Sequence, residues 1–462
     1  MKHELKIDKT LEYDVVVCGG GLTGFAAAVT AGRMGLSTLL IEKNGCLGGV
    51  ATSSKVCSLL GGIDYIGNSY YFVTGGLFKE LYYDLRKNNE CVDIYSIDRN
   101  RSPHAWYSGL SEAIIFDNEA MKRLLDKKVL EAGADLLYFT YIHDIGTDGK
   151  DIDYIVCANK DGNTAVRGKV FVDCTGDADI AFMAGNSCIK GREEDNLMTP
   201  ATLIMNLNGV DTEQVLKYIE TNNSPRFRQK ILELREKGIW NFEIEIFISM
   251  LLNRKGYHMA NTIRQVGIDG VNAASLTKGM IEGRKENKEL HDILKHYFPG
   301  YGSSLISDTG ETIGIRETRR IRGEFILKLE DLLSGKDFND IIALASYCFD
   351  LPDPKKPSYQ PLEGRAIQKN YTEIPYASLI PDKTENLIVA GRSISVEREV
   401  LGPIRVMGPC MGMGQAAGVA ACQSIAEDKA FSLLDVRSLQ GKLKEIDCIV
   451  DAADIEKVGD IK

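Results

Sequence analysis

No run of about 18 apolar residues occurs in the chain, so no segment reads as a membrane-spanning helix. The first residues, Met1-Lys-His-Glu-Leu-Lys-Ile-Asp8, lack the apolar core of a signal peptide. No C-x-x-C occurs among the eleven scattered cysteines, which excludes the usual iron–sulfur, zinc and thioredoxin-like spacings. An odd number of thiols at irregular spacing points to reduced cysteines, several of them buried as small hydrophobes, and to a cytoplasmic protein. Basic stripes are missing too. Lys and Arg number 55 against 65 Asp and Glu, a net charge of −10, so nucleic acid is not an expected partner. There is no Walker loop, no G-x-S-x-G, no fixed repeat, and no His/Cys/Asp spacing that suggests a metal.

What is present starts at Tyr13. The run Tyr13-Asp-Val-Val-Val-Cys18 reads as a buried strand, Gly19 to Gly24 as a glycine turn, and Phe25 onward as an alanine-rich helix. Gly19, Gly21 and Gly24 hold the G-x-G-x-x-G spacing. The first allows a tight turn, the second lets the backbone approach a pyrophosphate, and the third lets helix and strand pack closely. The helix N-terminus adds free N–H groups and partial positive charge. A second apolar strand, Ser37–Glu42, ends in a carboxylate about 20 residues further on, where it can accept from a ribose. These residues predict a dinucleotide site for an adenosine without a 2′-phosphate.

With 462 residues, 44% of them hydrophobic, the chain is long enough for two domains. A helix is predicted over Asp117–Ala132, a strand over Leu136–Ile142, and short antiparallel strands over Asp153–Ala158 and Thr164–Val172. Charged helices dominate 184–357, including Asp211–Glu220, Arg226–Lys237 and Lys278–Tyr297. The Pro352-Asp-Pro-Lys-Lys-Pro357 stretch suggests a boundary. Sheet-like patterning returns at Glu385–Ser393, and glycines at 408, 412, 414 and 418 precede an alanine-rich helix.

Five places together resemble the two-dinucleotide-fold FAD-dependent oxidoreductases, and within them a bacterial group: Gly19–Ala28 with Glu42; Gly48–Thr52; Asp173–Asp179; Arg316–Phe325; and Asn386–Ser395 with Arg405–Met407 and Gly412–Gly418. The resemblance implies an α/β fold: a Rossmann-type FAD-binding domain with a parallel central sheet and a β-meander, from residues 1–183 and 358–462, interrupted by a mixed α+β cap, 184–357. It implies FAD as cofactor. Gly19, Gly21 and Gly24 then approach the pyrophosphate, Glu42 with Lys43 the adenosine ribose, and Gly49 and Thr52 the path toward the flavin. Thr175, Gly176 and Asp177 line the adenosine side, and Gly391 and Arg392 the ribityl chain. Gly412, Gly414, Gln415 and Ala416 present a helix N-terminus to the flavin N1–C2=O edge. Where the bacterial group commonly has histidine, this chain has Arg398.

The implied function is transfer of a hydride between flavin N5 and a small polar or anionic molecule, with an unidentified electron donor or acceptor and a possible homo-oligomer. Arg398 and Arg405 are candidates to fork onto a substrate anion, or to pair with neighbouring carboxylates. His104, in an aromatic loop, and His258 are general-acid candidates, whereas His291 and His296 are expected to be solvated. The Arg316–Arg322 cluster is expected to form salt bridges. An electron-transfer subunit, or a thiol–disulfide reductase using Cys46 and Cys57, are the alternatives.

Overall fold

The computed structural model describes residues 5–96, 112–224 and 226–459. Three consecutive valines, Val15 to Val17, are fully buried because their strand is covered on both faces. The strand, Lys9–Cys18, lies in the middle of a seven-stranded sheet. Thr38–Ile41 and then Asp135–Leu137 pair parallel on one side of it, and Gly162–Asp173 pairs parallel on the other. Val15 and Val17 point into the core shared with the helices. Val16 and Cys18 point into a second core with Ile152, Ile155, Phe171 and Ile180.

The strand Gly162–Asp173 serves two ladders along one edge. Its first half pairs antiparallel with Asp151–Asn159, which continues into Tyr141–Asp148 as a meander. Its last residues, Phe171 to Asp173, pair parallel with the late strand Leu387–Val389. The Asn386 side chain joins the two, accepting from Ile152 N and donating to Ile152 O, each at 2.9 Å. The sheet is therefore completed by a strand from beyond residue 380, across a long insertion. The single predicted strand Leu136–Ile142 is two strands, because Phe139 adopts a left-handed conformation (φ 51°) between them.

The helix Leu22–Arg33 packs along the 21-residue helix Met407–Glu427. Small residues make the close approach possible. A Cβ on Gly414 would stand 2.2 Å from Thr23 O, and one on Gly418 2.7 Å from Ala27 O. The glycines at 408, 412, 414 and 418 thus lie inside this helix, which begins at Met407.

Within 184–357 a four-stranded antiparallel sheet forms in the order Ser249–Leu251, His258–Ala260, Met205–Asn208, Leu305–Thr309. The helix Ala273–Tyr297 starts on an Asn272 cap and buries Leu290 and Leu294. His291 is on its buried side against Ser304 O at 3.1 Å, so it is not solvated as its charged neighbours suggested. The ladder between Ile341–Ala345 and Thr372–Pro375 crosses the boundary expected at Pro357 and packs on Met407–Glu427. No helix among the described residues is long and apolar enough to cross a membrane.

Candidate active site

Four parallel strands end at the rim of one cavity of about 1160 Å³. It is lined by Gly19 after the first strand, Glu42 and Lys43 after the second, Cys174 to Asp177 after the third, and Gly391 and Arg392 after the late one. The carboxyl ends of parallel strands are where open α/β sheets bind ligands. The volume exceeds the ~300–1,000 Å³ of ordinary small-molecule sites.

The three glycines divide the labour that their spacing implies. Gly19 has φ +100°, and a Cβ there would meet Cys174 O at 2.6 Å. Gly24 faces protein, since its Cβ would lie 1.9 Å from Gly19 O; it does not line the cavity. Gly21 differs from both. It lines the cavity, has an ordinary φ of −61°, and a Cβ on it would touch nothing within 4 Å. The space a side chain would fill is the cavity itself, beside the N-terminus of Leu22–Arg33.

Glu42 is buried. Oε2 accepts from Gly20 N at 2.7 Å, and Oε1 accepts from Asn44 N at 2.8 Å and Asn44 Nδ2 at 2.7 Å. Three of about four acceptor positions are taken, so one remains for a ribose hydroxyl, not two. Asp177 Oδ1 accepts from Arg392 Nη2 and Thr318 Oγ1, both at 2.6 Å, and Arg392 Nη1 donates to Thr318 at 2.9 Å. Burial would raise the Asp177 carboxyl, but Arg392 and the Thr318 hydroxyl outweigh it and hold it below the ordinary carboxylate range. Thr175 caps the same turn: its N–H and hydroxyl donate to Asp173 Oδ1 at 3.0 and 2.7 Å. Gly49 lines the cavity.

Several sequence expectations need correction. Thr52 is fully buried, donates to Leu47 O at 2.5 Å and does not reach the cavity. Gly412, Gly414, Gln415 and Ala416 are not a helix N-terminus but its interior. Gly412 faces Ala343, Ala416 is fully buried, and Gln415 Oε1 accepts from Leu77 N at 2.8 Å. The end of that helix that does line the cavity is Val406, Met407 and Cys410. Arg398 is buried away from the cavity. Its Nε donates to Glu317 Oε1 at 2.8 Å and its Nη2 to Thr199 Oγ1 at 2.9 Å, so it holds the fold and has no free fork for a substrate. His258 is also buried away from the cavity, near Thr212 Oγ1 (3.1 Å) and Tyr301 OH (3.4 Å). Burial pushes its imidazole down to about 4, the wrong direction for a proton donor near neutrality. His104 lies outside the described residues. Cys57 contacts Met259 Sδ at 3.4 Å and is pushed up to about 12 by burial, while Cys46 sits on Ser53 at 3.4 Å; neither is in a disulfide.

Arg405 does line the cavity, and two guanidiniums join it there, Arg264 and Arg316. Arg405 Nη2 donates to Asp350 O at 2.7 Å and Oδ2 at 3.2 Å, and its buried Nε has no hydrogen-bond partner. Arg316 Nη1 donates to Pro200 O at 2.5 Å and Thr202 Oγ1 at 2.9 Å. Arg264 Nη1 donates to Pro357 O at 2.5 Å. Burial, then the like charges of Arg264 and Arg405, push the Arg316 guanidinium down to about 9. Burial would raise Asp350, but Arg405, Arg316 and Arg264 hold it low. Asp350 thus faces three guanidiniums. Of the arginines expected to form salt bridges, Arg319 pairs with Asp179 and Arg320 with Glu317 at 3.3 Å, whereas Arg316 turns to the cavity. Nothing in the sequence marked Arg264 or Asp350.

The chain belongs to the FAD dependent oxidoreductase family, whose profile matches residues 14–443. It is accordingly an oxidoreductase, and FAD is its cofactor. Among curated proteins it is similar to a dihydrolipoyl dehydrogenase of Trypanosoma brucei brucei, 57% identical over 37 residues, 8% of each chain. A 4-oxocyclohex-2-ene-1-carboxylate 5-dehydrogenase of Sinomonas cyclohexanicum is 43% identical over 54 residues, 12% of this chain and 9% of that one. These matches span less than a tenth of either relative. Among solved structures, a geranylgeranyl bacteriochlorophyll reductase-like protein of Thermoplasma acidophilum aligns with a TM-score of 0.45 and 14% identity, over 94% of this chain and 84% of that one. The open space at Gly21, the remaining acceptor of Glu42 and the lining by Gly49, Thr175 and Arg392 fit an extended dinucleotide.

Proposed function

We propose that this enzyme exchanges a hydride between a carbon of a small anionic substrate and FAD, the anion being held by Arg316 and Arg405. The observation that carries the reading is that Arg316 and Arg405 line the same cavity as the dinucleotide turn, with burial and like charge holding the Arg316 guanidinium low. When bound, FAD supplies the two-electron acceptor or donor. The amides beside Gly21 and the start of Leu22–Arg33 hold its diphosphate, Glu42 and Lys43 its adenosine ribose, and Arg392, fixed by Asp177, its central part. Arg405 lines the cavity and is pre-oriented by Asp350, so a carboxylate arriving there meets an already ordered guanidinium. Arg316 gains most from that arrival, since an anion offsets the repulsion of its two cationic neighbours.

Residues around the antiparallel sheet of 199–316 form the substrate side, and 1–183 with 358–462 the cofactor side. A second electron partner completes the cycle. The eleven unpaired thiols accord with a reducing, cytoplasmic setting. Anaerobic mixing of the yellow protein with a panel of hydroxy, amino and unsaturated carboxylates tests the proposal: one class should bleach or restore the visible flavin bands. Bleaching by neutral alcohols or thiols alone, with equal rates in Arg316→Leu, would reject it.

A further inference from the structure

The cavity wall opposite in character to the arginines is apolar. Ile204, Ile248, Met250, Met259, Ile313 and Ile315 all line it. They come from the same short segments as the charges. Met259 precedes Arg264 by five residues, and Ile313 and Ile315 flank Gly314 just before Arg316. Thr202, which accepts from Arg316, pairs across an isolated bridge with Gly314 and lies two residues before Ile204. Asn261 N donates to Ile248 O at 2.8 Å, which brings Ile248 beside the segment from Met259 to Arg264. An apolar surface and a cationic cluster therefore meet within one enclosed space. These six side chains bring no N–H or O–H group to that space, so an entirely polar metabolite would find no hydrogen-bond donor on this wall.

We infer that the substrate is an amphipathic acid: its anionic group lies on Arg316 and Arg405, and an apolar body of several carbons lies against the isoleucine and methionine wall. The charged end rests on the anion site proposed above; the apolar body rests on the wall alone. Methionines 250 and 259 are unbranched and adaptable, which suits a body whose shape varies along a chain or around a ring.

Titration of the FAD-loaded enzyme with straight-chain carboxylates from acetate to octanoate, following the visible spectrum of the bound flavin, tests this without turnover. Affinity should rise about fourfold per added methylene, equivalent to ~0.8 kcal/mol each, until the wall is covered. In Met259→Asn the ratio of octanoate to acetate affinity should fall at least fourfold; Ile248→Asn provides the same comparison should the first variant lose its FAD. A flat series of carboxylates that do bind would overturn the inference and leave the anion site standing, because the wall would then serve only the cofactor. Silence of all carboxylates, with matched alcohols binding in order of their apolar size, would remove the anion site and keep the wall. Silence of both series would overturn both.

Discussion

Arg316 lines the cavity whereas Arg398 is locked to Glu317, and single substitutions should separate the two. Arg398 is half of a buried ion pair whose partner carboxylate has no exposed surface. Arg398→Ala leaves Glu317 with a weaker contact to Arg320 and should cost about 3 kcal/mol or more of stability, read as a lower Tm, while the affinity for a bound carboxylate changes little. Arg316→Leu should do the reverse: Tm and FAD content are retained, and carboxylate affinity falls at least tenfold, the loss of one charge-assisted contact of ~1.5–3 kcal/mol. Glycines 21 and 24 make a second contrast. Gly21→Val places its side chain in open cavity, so the protein should fold normally and bind FAD poorly; Gly24→Val drives a side chain into Gly19 O and should fail to fold. The spacing of these glycines was legible in the sequence because each is a backbone requirement. Which arginine faces the cavity was not. Arg398 and Arg405 stand seven residues apart beside Gly402-Pro403, and only the distant Glu317 and Asp350 decide which of them faces the cavity.

At the scale of elements, structure departs from local pattern where a distant partner sets the conformation. Glycines at 412, 414 and 418 weaken a helix by up to about 1 kcal/mol each, so they suggest a turn before a helix. Here they are helix, because losing the Cβ lets Met407–Glu427 lie against Thr23 and Ala27. Gly414→Ala should therefore destabilise the protein by about 1–3 kcal/mol despite its better helix propensity, which chemical denaturation of the FAD-loaded protein would measure. The meander strands and the cap helices followed their hydrophobic periods and were legible to within a few residues. His258 sits on a strand of the inserted sheet, and its surroundings were invisible in sequence. Its imidazole is held neutral by burial, down to about 4 from an ordinary 6.5. The unfolded chain binds its proton first, so this stability is full above pH 6.5 and is lost as pH falls toward 4, up to about 3 kcal/mol in all. In His258→Gln the fall in Tm between pH 7 and 4.5 should be shallower, and the pH dependence of flavin reduction should not move.

On the scale of the whole molecule, one cavity joins the strand ends of the first sheet to the residues of the insertion. The glycine turn and the strand ends at the cavity rim were legible in the order of motifs along the chain, since they are written in consecutive residues. The rest of the cavity lining is assembled from positions 200–204, 248–264, 311–316 and 347–350, which no local pattern connects. A ligand that spans this space stabilises only the folded form, so Tm should rise steadily with free FAD, by an increment equivalent to ~2.7 kcal/mol at a hundredfold excess over Kd. A Tm independent of FAD would show that the cofactor touches only a part that opens separately.

The most direct test is the electron density of the FAD-loaded enzyme crystallised with hexanoate. The account predicts the diphosphate beside Gly21, the carboxylate on Arg316 and Arg405, and the carbon chain along Ile248 and Met259. A carboxylate on Arg398, or a diphosphate away from the Gly19–Gly24 turn, would contradict it.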